Sequence, residues 1–295
     1  MTDTMKTDIV NAVQEQVPAD LMMKISDRDF QAIRDLVYDK FGINLTPEKK
    51  GMVVGRLQKI LKTKGFQNFH EYYLHLVEDK TDRAINELAN QITTNHTFFY
   101  READHFDFFV KTILPEITAR KKKTNSHDLR IWCAAASSGE EPYTIVMMMM
   151  EYFGQDYPHW DAGLLATDIS EKALNLAKQG VYEDYRVKPL PKHLIDKYFK
   201  RQQENWVLSE RIKKEVTVRR FNLMNKMLPF KKPFDCIWCR NVMIYFDHST
   251  KLELVNKFYN QTVPGGYLLI GHSETIGRGE SKWKYVKPAV YRKEE

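Results

Sequence analysis

One stretch near the middle of the chain constrains the fold more than any other. Residues 129–133 form a short apolar run, residues 134–139 carry very small side chains, and Pro142 suits the first turn of a helix. α/β proteins bind nucleotide-like cofactors where a strand turns tightly into a helix. The glycines of the dinucleotide-binding motif are replaced here by alanine and serine, and Glu140 and Glu141 would repel a pyrophosphate. The turn therefore favours a cofactor with hydroxyls and positive charge, such as S-adenosylmethionine, over NAD.

Strands and helices alternate downstream of this turn. Strands are predicted at 129–134, 162–167, 216–221, 234–239 and 267–272, with extended structure at 284–292, and helices at 142–153, 170–179 and 249–261. This alternation predicts an α/β fold with a mostly parallel sheet covered on both faces. Residues 180–215 are too many for a simple crossover and predict a small inserted β-subdomain. The late hairpin differs from a plain Rossmann pattern and is typical of S-adenosylmethionine-dependent methyltransferases.

The first ninety residues follow a purely helical pattern. A capping box at Ser26 and an N-cap with proline at Thr46 begin two helices, and two more are predicted at 69–77 and 82–92, the last capped by Thr81. The predicted organisation is a flexible tail (1–25), an all-helical domain (26–92), a linker with a connecting helix (93–128) and a methyltransferase domain (129–295). Within the linker, residues 120–126 are expected to be a solvated connection.

Composition excludes several classes of protein. The N-terminus has no apolar signal region and no stretch is long enough to span a bilayer, so a cytoplasmic protein is expected. The spacing of Cys236 and Cys239 fits a metal or redox motif. However, residues three apart on a strand point to opposite faces, which favours core cysteines and predicts no metal. The net charge of +6 does not by itself indicate nucleic acid.

Polar residues follow the predicted strands at positions where a cofactor would lie. Asp168 ends the second strand and can bind ribose hydroxyls, although it can equally be a helix N-cap. Asn222 and Leu223 follow the third strand, where they can contact an adenine or form an ordinary loop cap. The fourth strand leads into residues 239–247 without the Asn/Asp-Pro-Pro-aromatic motif of base N-methyltransferases. That absence argues against a nucleic-acid substrate.

Taken in order, these motifs resemble one family. They are ITTNHTFFYRE (92–102), WCAAASSGEEPY (132–143), ATDI (166–169), FNL (221–223), CRNVMIYFD (239–247) and GHSE (271–274). The chain resembles, from about residue 25 to 290, the chemotaxis receptor glutamate O-methyltransferases, the CheR family. The resemblance implies methyl transfer from S-adenosylmethionine to glutamates of a chemoreceptor's cytoplasmic helices, with S-adenosylhomocysteine as the product.

The same resemblance implies site residues. Those implied around the cofactor are Asn95, Thr97, Arg101, Glu140, Asp168, Asn222, Leu223, Arg240 and Asn241. Arg101 and Tyr245 are implied as the catalytic residues closest to the reacting centre, while Glu141 is left unassigned or as a helix cap. A glutamate carboxylate, with an ordinary pKa of about 4.3, needs no general base, so the absence of a catalytic dyad is expected. Methyl transfer then depends on placing the oxygen close and aligned.

The expected partner is a chemoreceptor bound through a basic helix. Lys49, Lys50, Arg56, Lys59 and Lys62 lie in an acid-free run, which could also be an ordinary solvated face. The inserted segment lacks the glycine-containing loop with which some family members bind a receptor's C-terminal pentapeptide, which predicts a pentapeptide-independent enzyme. A monomer recruited to membrane-bound receptor arrays, with neither nucleic acid nor membrane insertion, is expected.

Two alternatives stay open at this point. The chain could methylate another protein or a nucleic acid, or it could bind the cofactor as a non-catalytic signalling module. Arg101 and Tyr245 argue against the second alternative. His272 and Glu274 are too close in sequence to form a hydrolase triad and are interpreted as fixing a loop. His96 is interpreted as ordering the linker, and Met147–Met150 as core residues.

Overall fold

A computed structural model describes residues 23–277 and 279–294. Most of the predicted tail, residues 1–22, therefore lies outside the described residues. In the described part of the chain, no helix combines the length and apolar character needed to cross a membrane.

Helices form the N-terminal part and flank the sheet that follows. They are α1 (Asp27–Phe41), α2 (Lys50–Lys64), α3 (Phe69–Glu78), α4 (Arg83–Ile92), α5 (Ala103–Phe108), α6 (Leu114–Lys123), α7 (Glu140–Phe153), α8 (Glu171–Gln179), α9 (Asp184–Val187), α10 (Lys192–Tyr198), α11 (Glu210–Lys214) and α12 (His248–Asn260). A π-helical segment, Phe109–Ile113, joins α5 to α6. Short 3-10 turns lie at Pro47–Lys49, Gly154–His159 and Met243–Tyr245.

The strands form one large and one small sheet. They are β1 (Ile131–Cys133), β2 (Leu164–Asp168), β3 (Val181–Glu183), β4 (Phe199–Gln202), β5 (Asn205–Leu208), β6 (Val216–Arg220), β7 (Phe234–Cys239), β8 (Thr262–Ile270), β9 (Lys284–Lys287) and β10 (Val290–Arg292). The large sheet has the order β6-β2-β1-β7-β8-β10-β9. Its first five members are parallel, whereas β10 is antiparallel to both of its neighbours. The predicted α/β fold with a late hairpin is thus confirmed.

The inserted segment folds as a small antiparallel sheet of order β3-β5-β4, flanked by α9, α10 and α11. The turn between β4 and β5 contains Gln203, which adopts a φ of 54°. The hairpin of this segment is formed by β4 and β5, which pair antiparallel. The prediction of an inserted β-subdomain itself is confirmed.

Local signals at the helix ends explain much of the N-terminal domain. Ser26 accepts the N–H of Asp29, and Gly42 closes α1 in the left-handed region at φ 68°. The prediction that Thr81 caps α4 is wrong, because the shortest contacts at this helix start are made by Asp79. The side chain of Asp79 accepts the N–H of Ala84 at 2.7 Å and that of Thr81 at 2.8 Å, so Asp79 closes this turn.

Side chains of the large sheet point alternately into two apolar clusters. Trp132 and Ile237 belong to a cluster that continues into the helical domain, while Ile131 and Trp238 belong to the cluster around α5, α6 and α7. Cys236 and Cys239 fall into different clusters and are fully buried. They are core cysteines, as their spacing on a strand predicts.

The helical domain also bonds directly to the α/β domain. Ile43 forms an antiparallel bridge with Phe246, and the N–H of Asn44 donates to the carbonyl of Tyr245 at 2.8 Å. Tyr38 donates to Asp247 at 2.7 Å. These bonds hold the helical domain against the loop that follows β7.

The expectation of a solvated connection at 120–126 is wrong at its beginning. Helix α6 continues to Lys123, and Arg120 and Lys121 pair at 2.7 and 2.9 Å with the buried carboxylate of Asp235. Asp235 also accepts the N–H of Arg130 at 3.0 Å. Two of the basic residues thus bind the start of β7.

Candidate active site

A cleft of about 1060 Å³, open to solvent, lies at the carboxyl ends of β1, β2, β6 and β7. In an open parallel sheet this edge is where ligands bind, at the point where the strand order reverses. Besides the strand ends, the linker at 93–101 and Phe41, Ile43 and Ile92 of the helical domain line the cleft. The helical domain is therefore one wall of the site, which the sequence reasoning did not predict.

The turn after β1 forms the floor of the cleft. Ala134 donates its N–H to the carbonyl of Trp238 at 2.7 Å, and Ala136 donates to that of Thr167 at 2.9 Å. Gly139 has a φ of 97°, and a Cβ at this position would collide with Tyr143, Ala177 and Tyr182. Only glycine fits this close approach. The small residues 134–137 that precede it line the cleft.

Asp168 ends β2 beside this turn and lines the cleft. One carboxylate oxygen accepts the N–H of Ser137 and the other that of Ser170, each at 2.8 Å. Burial raises the pKa of Asp168, while these two backbone bonds act in the opposite direction. Its N-cap alternative is not realised, because Ser170 caps α8. The carboxylate is thus fixed at the cleft with acceptor capacity left for ligand hydroxyls.

Three charges converge between α5, α7 and the end of β7. Arg240, with 1% of its side chain exposed, pairs with Glu102 at 2.9 Å and with Glu141 at 2.6 Å. It also donates to the carbonyl of Arg101 at 2.6 Å. Burial opposes the positive charge, but the two carboxylates raise the pKa of Arg240 above its ordinary value. The guanidinium lines the cleft with most of its bonds already satisfied, so it positions its neighbours.

The two acids at the start of α7, Glu140 and Glu141, lie in different surroundings. Glu140 is fully buried, does not line the cleft, and accepts bonds from Ser138 at 2.8 Å and Arg186 at 2.5 Å. Glu141 lines the cleft and has 14% of its side chain exposed. Adjacent helix residues point about 100° apart, so only one of the two can face the ligand. Glu140, which the resemblance implies as a cofactor contact, therefore does not face the cleft, whereas Glu141 does.

Asn222 and Leu223 lie together at the cleft after β6. The Asn222 side chain donates to the carbonyl of Lys40 at 2.7 Å and accepts the N–H of Met224 at 3.0 Å. Asn222 thus joins the end of α1 to the cleft, and Leu223 adds a mostly buried apolar surface.

The linker brings Asn95, Thr97 and Arg101 to the opposite side of the cleft. Arg101 donates to the carbonyl of His96 at 3.0 Å, which supports the interpretation of His96 as part of linker ordering. Arg56 bonds to the carbonyl of Ile92 and donates to Thr94 at 2.6 Å. Arg56 of the basic helix therefore binds the linker.

The carboxylate of Glu274 fixes the loop that carries Tyr245. Glu274 accepts backbone N–H groups of Gly271 at 2.6 Å, Asn241 at 3.0 Å and Ile244 at 3.2 Å. Burial raises the pKa of Glu274, opposed by these bonds. Asn241, at φ 57°, also donates to Glu102 at 3.1 Å. Tyr245 thereby reaches the cleft on a fixed loop, and the interpretation of Glu274 as loop-fixing agrees with its contacts.

Glu102, His105 and His272 place potential ligand atoms within 4.8 Å of one another. Burial, with the charge of Arg240, lowers the pKa of His105 to about 4, so the ring is neutral near pH 7. Burial raises and Arg240 lowers the pKa of Glu102, with a net decrease. Arg240 already pairs with the carboxylate of Glu102. The positive charge of Arg240 therefore opposes the binding of a cation in this cluster.

Comparisons with known proteins agree with this geometry. The family model for the SAM-binding domain of CheR methyltransferases matches residues 95–291, and that for the all-alpha domain of CheR methyltransferases matches residues 28–93. The two matches meet at the linker that crosses the cleft.

Curated relatives match along nearly their whole length. A chemotaxis protein methyltransferase of Borreliella burgdorferi is 44% identical over 92% of this chain and 96% of its own. One of Escherichia coli is 33% identical over 91% of this chain and 92% of its own. Among solved structures, a glycopeptide N-methyltransferase complexed with S-adenosylmethionine aligns over 52% of this chain and 48% of its own. That alignment has 14% identity and a TM-score of 0.30, a likeness too low to bear on function.

We expect Glu141→Gln to weaken the binding of S-adenosylhomocysteine about 10-fold or more, because hydrogen bonds to charged groups contribute roughly 1.5–3 kcal/mol. Isothermal titration calorimetry measures the change. Glu253→Gln is the matched control, since Glu253 is an exposed acid of α12 that pairs with Lys257 at 2.7 Å. Unchanged affinity of the Glu141 variant would contradict the assignment of Glu141 to the ligand.

Proposed function

Because the chain belongs to the CheR methyltransferase family, we propose that it transfers the methyl group of S-adenosylmethionine to glutamate side chains of chemoreceptor cytoplasmic helices. The observation that carries the proposal is a cleft that brings two carboxylates, Asp168 and Glu141, together with Arg101 and Tyr245. A substrate that is already an anion needs no base, whereas a neutral amine or hydroxyl substrate commonly does.

The residues of the cleft suit this cofactor. Asp168 would accept hydrogen bonds from the ribose hydroxyls, and Glu141 would face the ammonium group of the amino-acid portion. Leu223 and Phe221 offer apolar surface to the adenine base. Asn222 offers a side-chain amide at the same end. When bound, S-adenosylmethionine supplies an electrophilic methyl group on a sulfonium.

The protein's task is then to position a carboxylate oxygen. Tyr245 would orient the incoming oxygen through its hydroxyl. The ammonium of Lys49 lies 5.9 Å from the Tyr245 ring centroid and adds positive charge at the approach. Arg101, which lines the cleft opposite, would bind a carboxylate by charge-assisted hydrogen bonding. Each contribution acts through alignment, which is the main source of rate for such a displacement.

We also propose that exposed basic residues of α2 guide the acidic receptor helix. Lys59 and Lys62 are both exposed on α2. Exposed positive charge raises the association rate of an acidic partner and loses effect as salt increases. We propose in addition that the enzyme acts as a monomer at the cytoplasmic side of receptor arrays.

The reaction type is tested by the stability of the product in base. Purified protein, labelled S-adenosylmethionine and the host's receptor fragments should yield a methyl group that base releases as methanol, since a carboxyl ester hydrolyses and an N-methyl group does not.

Tyr245→Phe should lower kcat about 10- to 100-fold through lost alignment, with cofactor affinity unchanged. Label that resists base, or full turnover of Tyr245→Phe, would contradict the proposal.

Neutralising the basic helix should separate receptor binding from cofactor binding. We expect Lys59→Gln/Lys62→Gln to raise the receptor KM about 5-fold at low salt, since each exposed ion pair contributes about 0.2–1 kcal/mol. The calorimetric affinity for S-adenosylhomocysteine should not change. Lys188→Gln/Lys192→Gln, two exposed lysines of the inserted subdomain, is the control. An equal effect of both double variants, or one that is insensitive to salt, would refute a specific role for α2.

We further propose that a receptor C-terminal pentapeptide is not required. The two residues between β4 and β5 leave no room for a glycine-containing binding loop. Receptors with and without this peptide should be methylated with the same KM, and the isolated peptide should give no calorimetric signal at micromolar concentration. Tight binding of the peptide would overturn this proposal.

A further inference from the structure

Arg186, in α9 of the inserted subdomain, reaches out of that subdomain to the start of α7. Its guanidinium pairs with Glu140 at 2.5 Å and donates to the hydroxyl of Ser138 at 3.0 Å. Ser138 in turn donates to Glu140 at 2.8 Å. These contacts fix the end of the small-residue turn that forms the floor of the cleft.

The backbone of the same residue holds the linker. The carbonyl of Arg186 accepts the N–H of Phe99 at 3.0 Å. Phe99 is fully buried, and its ring packs edge-on against Tyr182 and Phe199 of the inserted subdomain, with centroid distances of 4.8 and 5.3 Å. Phe99 lies between Thr97 and Arg101, which both line the cleft.

The pairing with Glu140 is the more demanding of the two contacts. Glu140 is fully buried, whereas the Arg186 side chain is 22% exposed. A buried carboxylate that loses its charged partner is strongly destabilising. The turn would therefore have to rearrange if Arg186 were removed. Tyr182 adds a bond from the same subdomain, donating to the carbonyl of Ser138 at 2.8 Å.

We propose that Arg186 is a positioning residue that couples the inserted subdomain to the cofactor cleft. It fixes the turn through its side chain and the linker through its backbone, so that the inserted subdomain is part of the cofactor-binding machinery. The inference rests on the proposed function only in taking S-adenosylmethionine as the ligand of the cleft.

Calorimetric titration of S-adenosylhomocysteine into a set of variants tests the coupling. Arg186→Met and Glu140→Gln should each weaken binding about 2- to 30-fold, the range for residues that modulate a site without touching its ligand. Arg186→Lys, which keeps the charge but not the fork, should lose less than Arg186→Met. The double variant should lose no more than the worse single variant, because both act through one pair.

The control is Arg201→Met in the same subdomain. Arg201 pairs with Asp184 at 2.5 Å on the surface and stacks on Trp206, with neither contact reaching the cleft. The affinity of the Arg201→Met variant for S-adenosylhomocysteine should equal that of the wild type. Thermal midpoints are measured alongside, and titrations are run well below the lowest midpoint so that only folded protein is compared.

Three results among the variants would overturn the inference. Arg186→Met could lower the thermal midpoint while leaving affinity unchanged, which would make Arg186 a purely structural residue. Additive losses in the double variant would mean that Arg186 and Glu140 act separately. Equal losses in Arg201→Met would mean a general effect of the subdomain. If Arg186→Met does not fold, Arg186→Lys and Glu140→Gln decide by the same comparison. A wild-type protein that binds no S-adenosylhomocysteine would instead refute the cofactor assignment, and the inference with it.

Discussion

The buried guanidinium of Arg240 is the charge on which the cleft depends. It is enclosed by Phe106 and Trp238, each ring centroid lying 5.7 Å from it, and it pairs with Glu102 and Glu141. Removing either acid would leave part of a buried charge uncompensated, which costs several kcal/mol. The starts of α5 and α7 and the end of β7 are therefore fixed relative to one another. This arrangement determines where Glu141 and the linker stand at the cleft.

Two further arginines tie the outer parts of the chain to the same cleft. Arg56 binds the linker from the helical domain, at Ile92 and Thr94, and Arg186 binds it from the inserted subdomain, at Phe99. The linker is thus the common support of both additions to the sheet. Because Asn95, Thr97 and Arg101 lie on it, the positions of the helical domain and the inserted subdomain are linked to the shape of the cofactor cleft.

Much of the fold could be predicted from the sequence because its signals are local. The caps at Ser26 and Gly42, the alternation of strands with helices, and the small residues before Gly139 each depend on neighbours a few residues away. Asp168 and Asn222 could be placed at the cleft because each lies at or just after the carboxyl end of a parallel strand. The placement of Glu141 rather than Glu140 at the cleft needed the tertiary structure, because a motif does not fix which of two adjacent helix residues, about 100° apart, faces a cleft.

The sequence by itself determined the order of elements, the family and the edge of the sheet at which a ligand binds. Only the tertiary structure decided that Arg56 turns to the linker, that Glu141 and not Glu140 meets the cleft, and that Phe41 and Ile43 form its wall. The physical reason is distance along the chain. Arg240 meets partners about a hundred residues away, and Arg186 and Glu140 are 46 residues apart. Such contacts follow from how the layers pack, and no local pattern encodes them.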